Sequence, residues 1–200
     1  MKILTVRDAA EIMNGQYFGE KEGLNREITH AVIDSRAAAA GALFFCFAGE
    51  KADGHDFARD ALSRGAAAAV AERPVEGGAY ILVKSAAAAL AALAKYRRDA
   101  FAKPVVAVVG SVGKTTAKEM TAAALGAKFS VLKTEKNLNN ALGLPLTLSR
   151  LTDEYGAAVL ELGVSDFGEM APLAELARPD IVVFTRVAES HLEQFIDLDG

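Results

Sequence analysis

Val105-Val106-Ala107-Val108-Val109-Gly110-Ser111-Val112-Gly113-Lys114-Thr115-Thr116 sets five consecutive apolar residues against a loop with glycines at 110 and 113, followed by a lysine and two threonines. A short, valine-rich run of that kind predicts a strand buried on both faces, as parallel sheets require. The glycines let the backbone curl so that successive N–H groups point at one anion, and a helix from Lys114 to about Leu125 adds the positive end of its dipole. Lys114 brings a full positive charge, and the Thr115 hydroxyl is a ligand for Mg²⁺. Gly110, Ser111, Val112, Gly113, Lys114, Thr115 and Thr116 therefore predict a loop that cradles the phosphates of a nucleotide. The pattern G-x-x-x-x-G-K-[ST] would place glycine at 108, where the chain has Val108. A plain strand-turn-helix with a chance Gly-Lys-Thr stays open, and a phosphate loop does not by itself choose among kinases, GTPases, ATPases and ligases.

Outward from that loop, the pattern on its carboxyl side predicts a strand over 129–132, a loop over 134–140, a helix near 144–151, a strand over 157–162, a helix over 168–177 and a strand over 181–185. Short apolar strands alternating with helices imply a parallel sheet. On the amino side the pattern breaks at Lys103-Pro104, which predicts two domains, 1–102 and 103–200. Thr5 followed by Asp8, with Gly15 beyond, predicts a capped helix and a glycine stop. Strands over 28–33 and 42–47 bracket Asp34-Ser35-Arg36, placing that triplet at a strand end, where α/β proteins keep ligand groups. A helix over 55–63, strands over 67–71 and 79–83, and a helix from the cap Ser85 to about Phe101 complete the first half. The alanine tracts at 37–40, 66–69 and 86–89 share composition without the fixed period of a repeat protein.

Of the 200 residues 52% are hydrophobic and 24% charged, which supports folded domains and leaves no disordered segment. A net charge of −4 argues against a general affinity for nucleic acid or an anionic membrane, so a phosphate ligand needs a local site. Cys46 is the single cysteine and lies in an apolar run, so it has no partner for an internal disulfide. No stretch reads as a signal peptide or a membrane span, and the expectation is a cytoplasmic monomer.

The order of motifs resembles the Mur ligase family over nearly the whole chain. Its pieces are Asp34-Ser35-Arg36, Gly49-Glu50 with Asp53-Gly54-His55-Asp56-Phe57, the 110–116 loop with Lys118-Glu119-Met120, and Lys133-Thr134-Glu135-Lys136-Asn137-Leu138-Asn139-Asn140 before Gly143-Leu144-Pro145. The asparagine-rich stretch is similar to the branch that joins D-alanyl-D-alanine to UDP-N-acetylmuramoyl-tripeptide, and unlike the branch that adds the third amino acid. Val159-Leu160-Glu161-Leu162-Gly163 and Ala188-Glu189-Ser190-His191 continue the likeness.

The resemblance implies a small α/β substrate domain followed by a P-loop-type parallel-sheet ATPase domain. ATP and Mg²⁺ are the implied cofactors, and the tripeptide nucleotide and D-alanyl-D-alanine the implied partners. It puts Asp34, Ser35, Arg36, Gly49, Glu50, Asp53, Gly54 and His55 on the uridine nucleotide, and Asn137 and Asn140 beside the ATP loop. Lys114, Glu161 and His191 become catalytic, and Thr115, Glu161 and His191 hold metal. The implied reaction phosphorylates the terminal carboxylate of the tripeptide, and the dipeptide amine then displaces phosphate. A carboxylate at the end of a buried strand suits Mg²⁺, which prefers oxygen; an imidazole suits it less.

Blander readings stay open: a solvated Glu161, a surface His191, a turn at Asp34-Ser35-Arg36, a helix-starting His55, and a structural His30. Arg186 and Ala188 depart from the asparagine and glycine usual in the family. The family also continues with a carbamylated lysine, the rest of its ATPase domain and a third domain, so the chain reads as the first part of a longer enzyme. The alternatives are a binding module without ligase activity, the neighbouring ligase branch, and an unrelated P-loop kinase or GTPase.

Overall fold

Alanine and valine fill two fully buried strands, Ala68–Ala71 and Val105–Val109, and each lies inside a different sheet. The computed structural model describes residues 1–49 and 52–186. The chain divides into units Met1–Tyr96 and Arg97–Gly200, a division that falls inside a helix, ahead of the Lys103-Pro104 break.

The first unit opens with β1 (Leu4–Thr5), α1 (Val6–Ile12) and β2 (Gln16–Phe18). Thr5 and Asp8 form the expected capping box, each side chain accepting the other's backbone N–H, an arrangement that stabilises by about 1 kcal/mol. The stretch read as one strand over 28–33 is two: β3 (Glu27–Ile28) pairs antiparallel with β1, and β4 (His30–Val32) pairs parallel with β5 (Ala42–Phe45). Thr29 makes the joint, its N–H and hydroxyl both donating to Gly41 O. After β5 come a 3-10 turn Gly54–Phe57, α2 (Ala58–Ser63), β6 (Ala68–Ala71), β7 (Tyr80–Leu82) and α3 (Ala86–Ala100).

The five-stranded sheet runs β2-β7-β6-β5-β4, parallel throughout except for β2. That antiparallel edge was not expected; three residues carry too little alternation to be seen, and Phe18 pins the edge by stacking on Tyr80 at 4.9 Å. Ala58 and Ala61 of α2 pack on Phe44, Cys46, Ala69 and Ala71, small side chains that let the helix lie close to the sheet.

The second unit continues with β8 (Val105–Val109), α4 (Lys114–Gly126), β9 (Val131–Lys133), α5 (Gly143–Leu148), β10 (Ala157–Glu161), α6 (Met170–Ala177) and β11 (Ile181–Phe184). Its sheet has the order β11-β8-β10-β9 with every pair parallel, as the alternation predicts. Ala122 of α4, with Ala117 and Leu125 beside it, covers Val106, Val108 and Val159. Burying such side chains contributes roughly 2 kcal/mol each, and parallel pairing gathers all four carboxyl ends on one edge, where α/β proteins bind ligands. No helix among the described residues is long and apolar enough to cross a membrane.

Candidate functional site

The loop after β8 is bent by glycine and fastened from the next strand. Gly110 has φ +134°, and a Cβ there would lie 2.3 Å from Thr185 Oγ1, so no side chain fits. The Thr185 hydroxyl is 3.2 Å from Val109 O and 2.6 Å from Val112 O, and Ser111 N–H donates to Arg186 O at 2.7 Å. Gly113, at φ +83°, turns the chain into α4. Lys114 Nζ donates to Gly110 O at 2.6 Å and Ser111 O at 3.3 Å, which keeps its charge over the loop.

Glu161 ends β10 and is 3% exposed, yet each of its groups is engaged. The Thr115 hydroxyl donates to Oε2 at 3.0 Å, Asn139 Nδ2 to Oε1 at 2.9 Å, and the Glu161 N–H to Thr134 Oγ1 at 3.0 Å. Lys118, 1% exposed, lies 3.8 Å from Glu161 Oε2 and donates to Thr134 O at 2.8 Å. A buried carboxylate with this many donors around it is held in one orientation. The oxygens of Thr115 and Glu161, 3.0 Å apart, make a hard-oxygen pair that fits Mg²⁺. Among the described residues no three His, Cys, Asp or Glu side chains converge on a metal, so the pair is a partial ligand set.

Ser111, Gly113, Lys114, Thr115, Thr116, Lys136, Asn137, Asn139 and Glu161 line one cleft of about 430 Å³. Gly110 and Val112 are not among its lining residues; their carbonyls accept from Lys114 and Thr185 and so hold the loop's shape. Asn140 is placed differently: its Oδ1 accepts from Leu142 N–H and Gly143 N–H and so starts α5. Gly143 is confined there, since a Cβ would lie 2.3 Å from Leu138 Cα. Thr134, Lys118, Lys136 and Thr185 were given no role from sequence, whereas Asn139 belongs to the asparagine-rich run read as lying beside the loop, and it lines the cleft.

In the first unit the expected residues that are described sit after β4 and β5, and Arg73 reaches Asp53 from the end of β6. Asp34 caps a 3-10 turn by accepting Arg36 N–H, and Arg36 returns two guanidinium bonds to its carboxylate, Nε at 2.9 Å and Nη2 at 2.7 Å. These bonds, the guanidinium first, lower the Asp34 pKa to about 2. Ser35 is buried and hydrogen-bonded to Asp60. Asp53 Oδ1 accepts His55 N–H at 2.9 Å and meets Nδ1 at 2.6 Å, while Oδ2 accepts from Arg73 at 2.9 Å. The backbone N–H of His55 and then Arg73 hold the Asp53 carboxyl far below the usual carboxylate range.

His55 Nε2 accepts Glu72 N–H at 3.2 Å, so the proton belongs on Nδ1 and both ring nitrogens are used within the chain. Gly54 touches the backbone of Phe47, where a Cβ would come within 2.7 Å of N and 2.8 Å of O. Gly49 N–H donates to Ala52 O at 3.0 Å. Glu50, Ala188 and His191 lie outside the described residues.

A description of the Mur ligase catalytic domain matches residues 27–98, and one of the Mur ligase middle domain matches 108–200. The UDP-N-acetylmuramoyl-tripeptide–D-alanyl-D-alanine ligases of Escherichia coli and Bacillus subtilis are 39% and 38% identical to this chain, each over 98% of it and over 43% and 44% of their own lengths. The crystal structure of MurF from Acinetobacter baumannii superposes with a TM-score of 0.87 at 32% identity, covering all of this chain and 44% of that one. MurF of Thermotoga maritima in complex with ADP gives 0.74 at 38% identity, over 90% of this chain and 42% of that one. The chain thus spans under half the length of the curated relatives it matches. With both matches falling on these two units and their strand-end loops, the chain belongs to the Mur ligase family.

Proposed function

We propose that this chain supplies the nucleotide sites of an ATP-dependent amide ligase that joins D-alanyl-D-alanine to UDP-N-acetylmuramoyl-tripeptide in the cytoplasm. The observation that carries the reading is the Thr115–Glu161 pair at 3.0 Å beside the Lys114 loop, in a chain whose named relatives carry out that ligation. Glycines at 110 and 113 open the backbone to phosphate oxygens, and Lys114 turns from its loop carbonyls to the β- and γ-phosphates. Thr115 and Glu161 would hold Mg²⁺, which neutralises charge on the phosphates when bound. Thr134, Asn139 and Lys118 keep Glu161 aimed at that position.

In the first unit, Arg36 presents its outer guanidinium edge to the diphosphate, while Asp53 and Gly54, braced by His55, offer backbone groups to the muramoyl nucleotide. The tripeptide carboxylate takes the γ-phosphoryl group, its C–O⁻ oxygen forming the new P–O bond as ADP leaves. The dipeptide amine then attacks the acyl carbon and phosphate departs. The protein's share is positioning and charge neutralisation, with no covalent link to a side chain.

Calorimetric titration of the chain with UDP-N-acetylmuramoyl-tripeptide, against UDP alone and Mg-ATP, tests the reading. Saturable binding of the muramoyl nucleotide that is tighter than UDP, together with binding of Mg-ATP, is expected. Binding of Mg-ATP without the muramoyl nucleotide would overturn the substrate assignment and leave the phosphate loop standing.

A further inference from the structure

Three residues other than glycine have a left-handed backbone among those described: Asn14, Lys136 and Arg178. Asn14 follows the end of α1 and Arg178 is the C-cap of α6, places where helices commonly end in that conformation. Lys136, at φ 50°, is in neither position. It lies in the loop after β9 and lines the phosphate cleft with Lys114, Asn139 and Glu161. A glycine would adopt this turn without strain, and strained residues collect where a side chain is needed.

Charge pairing isolates the same residue. Around the cleft, Lys118 is within 3.2 Å of Glu119 and 3.8 Å of Glu161, Lys133 pairs with Glu119, and Arg150 pairs with Glu135 at 2.7 Å. Lys114 and Lys136 are the two cleft-lining cations with no carboxylate partner among the described residues. Lys114 at least donates to loop carbonyls. Two unneutralised ammonium groups in one cleft call for an anion with more charge than one lysine answers.

We propose that Lys136 is a second cationic contact for the terminal phosphoryl group of the bound nucleoside triphosphate, acting from the loop after β9. It lines the cleft with Asn139 and with Glu161, the carboxylate that together with Thr115 would hold Mg²⁺ against the terminal phosphates, so a cation there discriminates triphosphate from diphosphate. The inference rests on the nucleotide reading above and deepens it.

The test compares ATP and ADP affinity, by titration of the 200-residue chain in the presence of Mg²⁺, for the unsubstituted chain, Lys136→Gly and Lys136→Arg. Lys136→Gly relieves the left-handed strain, so its melting temperature should hold or rise. Its ATP affinity should fall about tenfold, the size of a charge-assisted hydrogen bond at an exposed site, with ADP affinity unchanged. Lys136→Arg should keep the preference for ATP. Equal changes in ATP and ADP affinity, or none, would overturn the proposal while leaving the phosphate loop intact. Failure of the unsubstituted chain to bind either nucleotide would overturn the nucleotide reading and this inference together.

Discussion

Both units carry their charged motif residues just beyond the carboxyl ends of parallel strands, yet they spend those charges in opposite ways. After β4, β5 and β6 the ions satisfy one another: Arg36 clasps Asp34, and Asp53 takes His55 and Arg73. After β8 and β9, Lys114 and Lys136 line the cleft that Glu161 also lines, and neither has a carboxylate ion-pair partner among the described residues. On the proposed function, the first arrangement builds a shaped surface that offers backbone and outer guanidinium edges to a ligand, and the second stores positive charge for a polyanion. A Gly-Lys-Thr loop and an Asp-Ser-Arg turn look equally polar in sequence; only the pairing separates charge kept for shape from charge kept for binding.

The largest effect should come from deleting stored charge. Lys114→Ala removes the ammonium that donates to Gly110 O and Ser111 O, two part-buried carbonyls at the mouth of the loop. Unfolding midpoints should move little, whereas ATP affinity, followed by a fluorescent analogue, should drop by about a thousandfold, as expected when two charge-assisted contacts are lost. Retained affinity would mean that the cleft does not hold phosphate, and the contrast between the two units would collapse.

The converse substitution lies in the first unit. Gly54→Ala forces a Cβ to within 2.7 Å of Phe47 N and 3.1 Å of Cys46 Cα, atoms of the backbone that cannot swing aside. The loop should shift and take with it the Asp53–His55 pair and the Glu72 N–H that His55 accepts. A loss of about 3 kcal/mol in chemical denaturation is expected, with muramoyl nucleotide binding weakened and ATP binding spared. If both ligands were spared, the 53–55 turn would be scaffolding with no bearing on the substrate.

Much of this was legible in sequence where the cause is local. The buried run Val105–Val109, the glycines at 110 and 113 and the Thr5–Asp8 box each depend on neighbours in the chain, and each stands where the pattern put it. The break at Thr29, the β2 edge and the 3-10 start at Gly54 depend on distant partners: Gly41, Ile81 and Phe47. The setting of Glu161 is another such case. Thr134 and Lys118 hold it from a strand end and a helix that approach only in three dimensions, and although both lie in stretches that carry the resemblance, nothing local gives either this role.

The smallest expected effect probes whether self-pairing in the first unit shows in its pH response. Asp8 is bonded to Lys2 and to the Thr5 N–H, and those bonds, Lys2 first, lower its pKa to about 2 from 3.8. Because the folded value is below the unfolded one, its stabilisation is complete above the ordinary carboxylate value and disappears as pH falls through about 2. Asp34, lowered likewise by Arg36, adds less, since its partner's side chain is 81% exposed and water screens the pair. Thermal melts between pH 5 and 2 should therefore show a decline that Asp8→Asn makes shallower by about 1 kcal/mol, the worth of one helix cap. Hydrogen exchange should place the early loss at the start of α1, whereas Lys114→Ala, which breaks no native ion pair, should leave the acid limb unchanged. A decline of equal slope in Asp8→Asn would mean that the capping carboxylate is not what acid removes, and that the ion pairs of the first unit shape its surface without governing its acid stability.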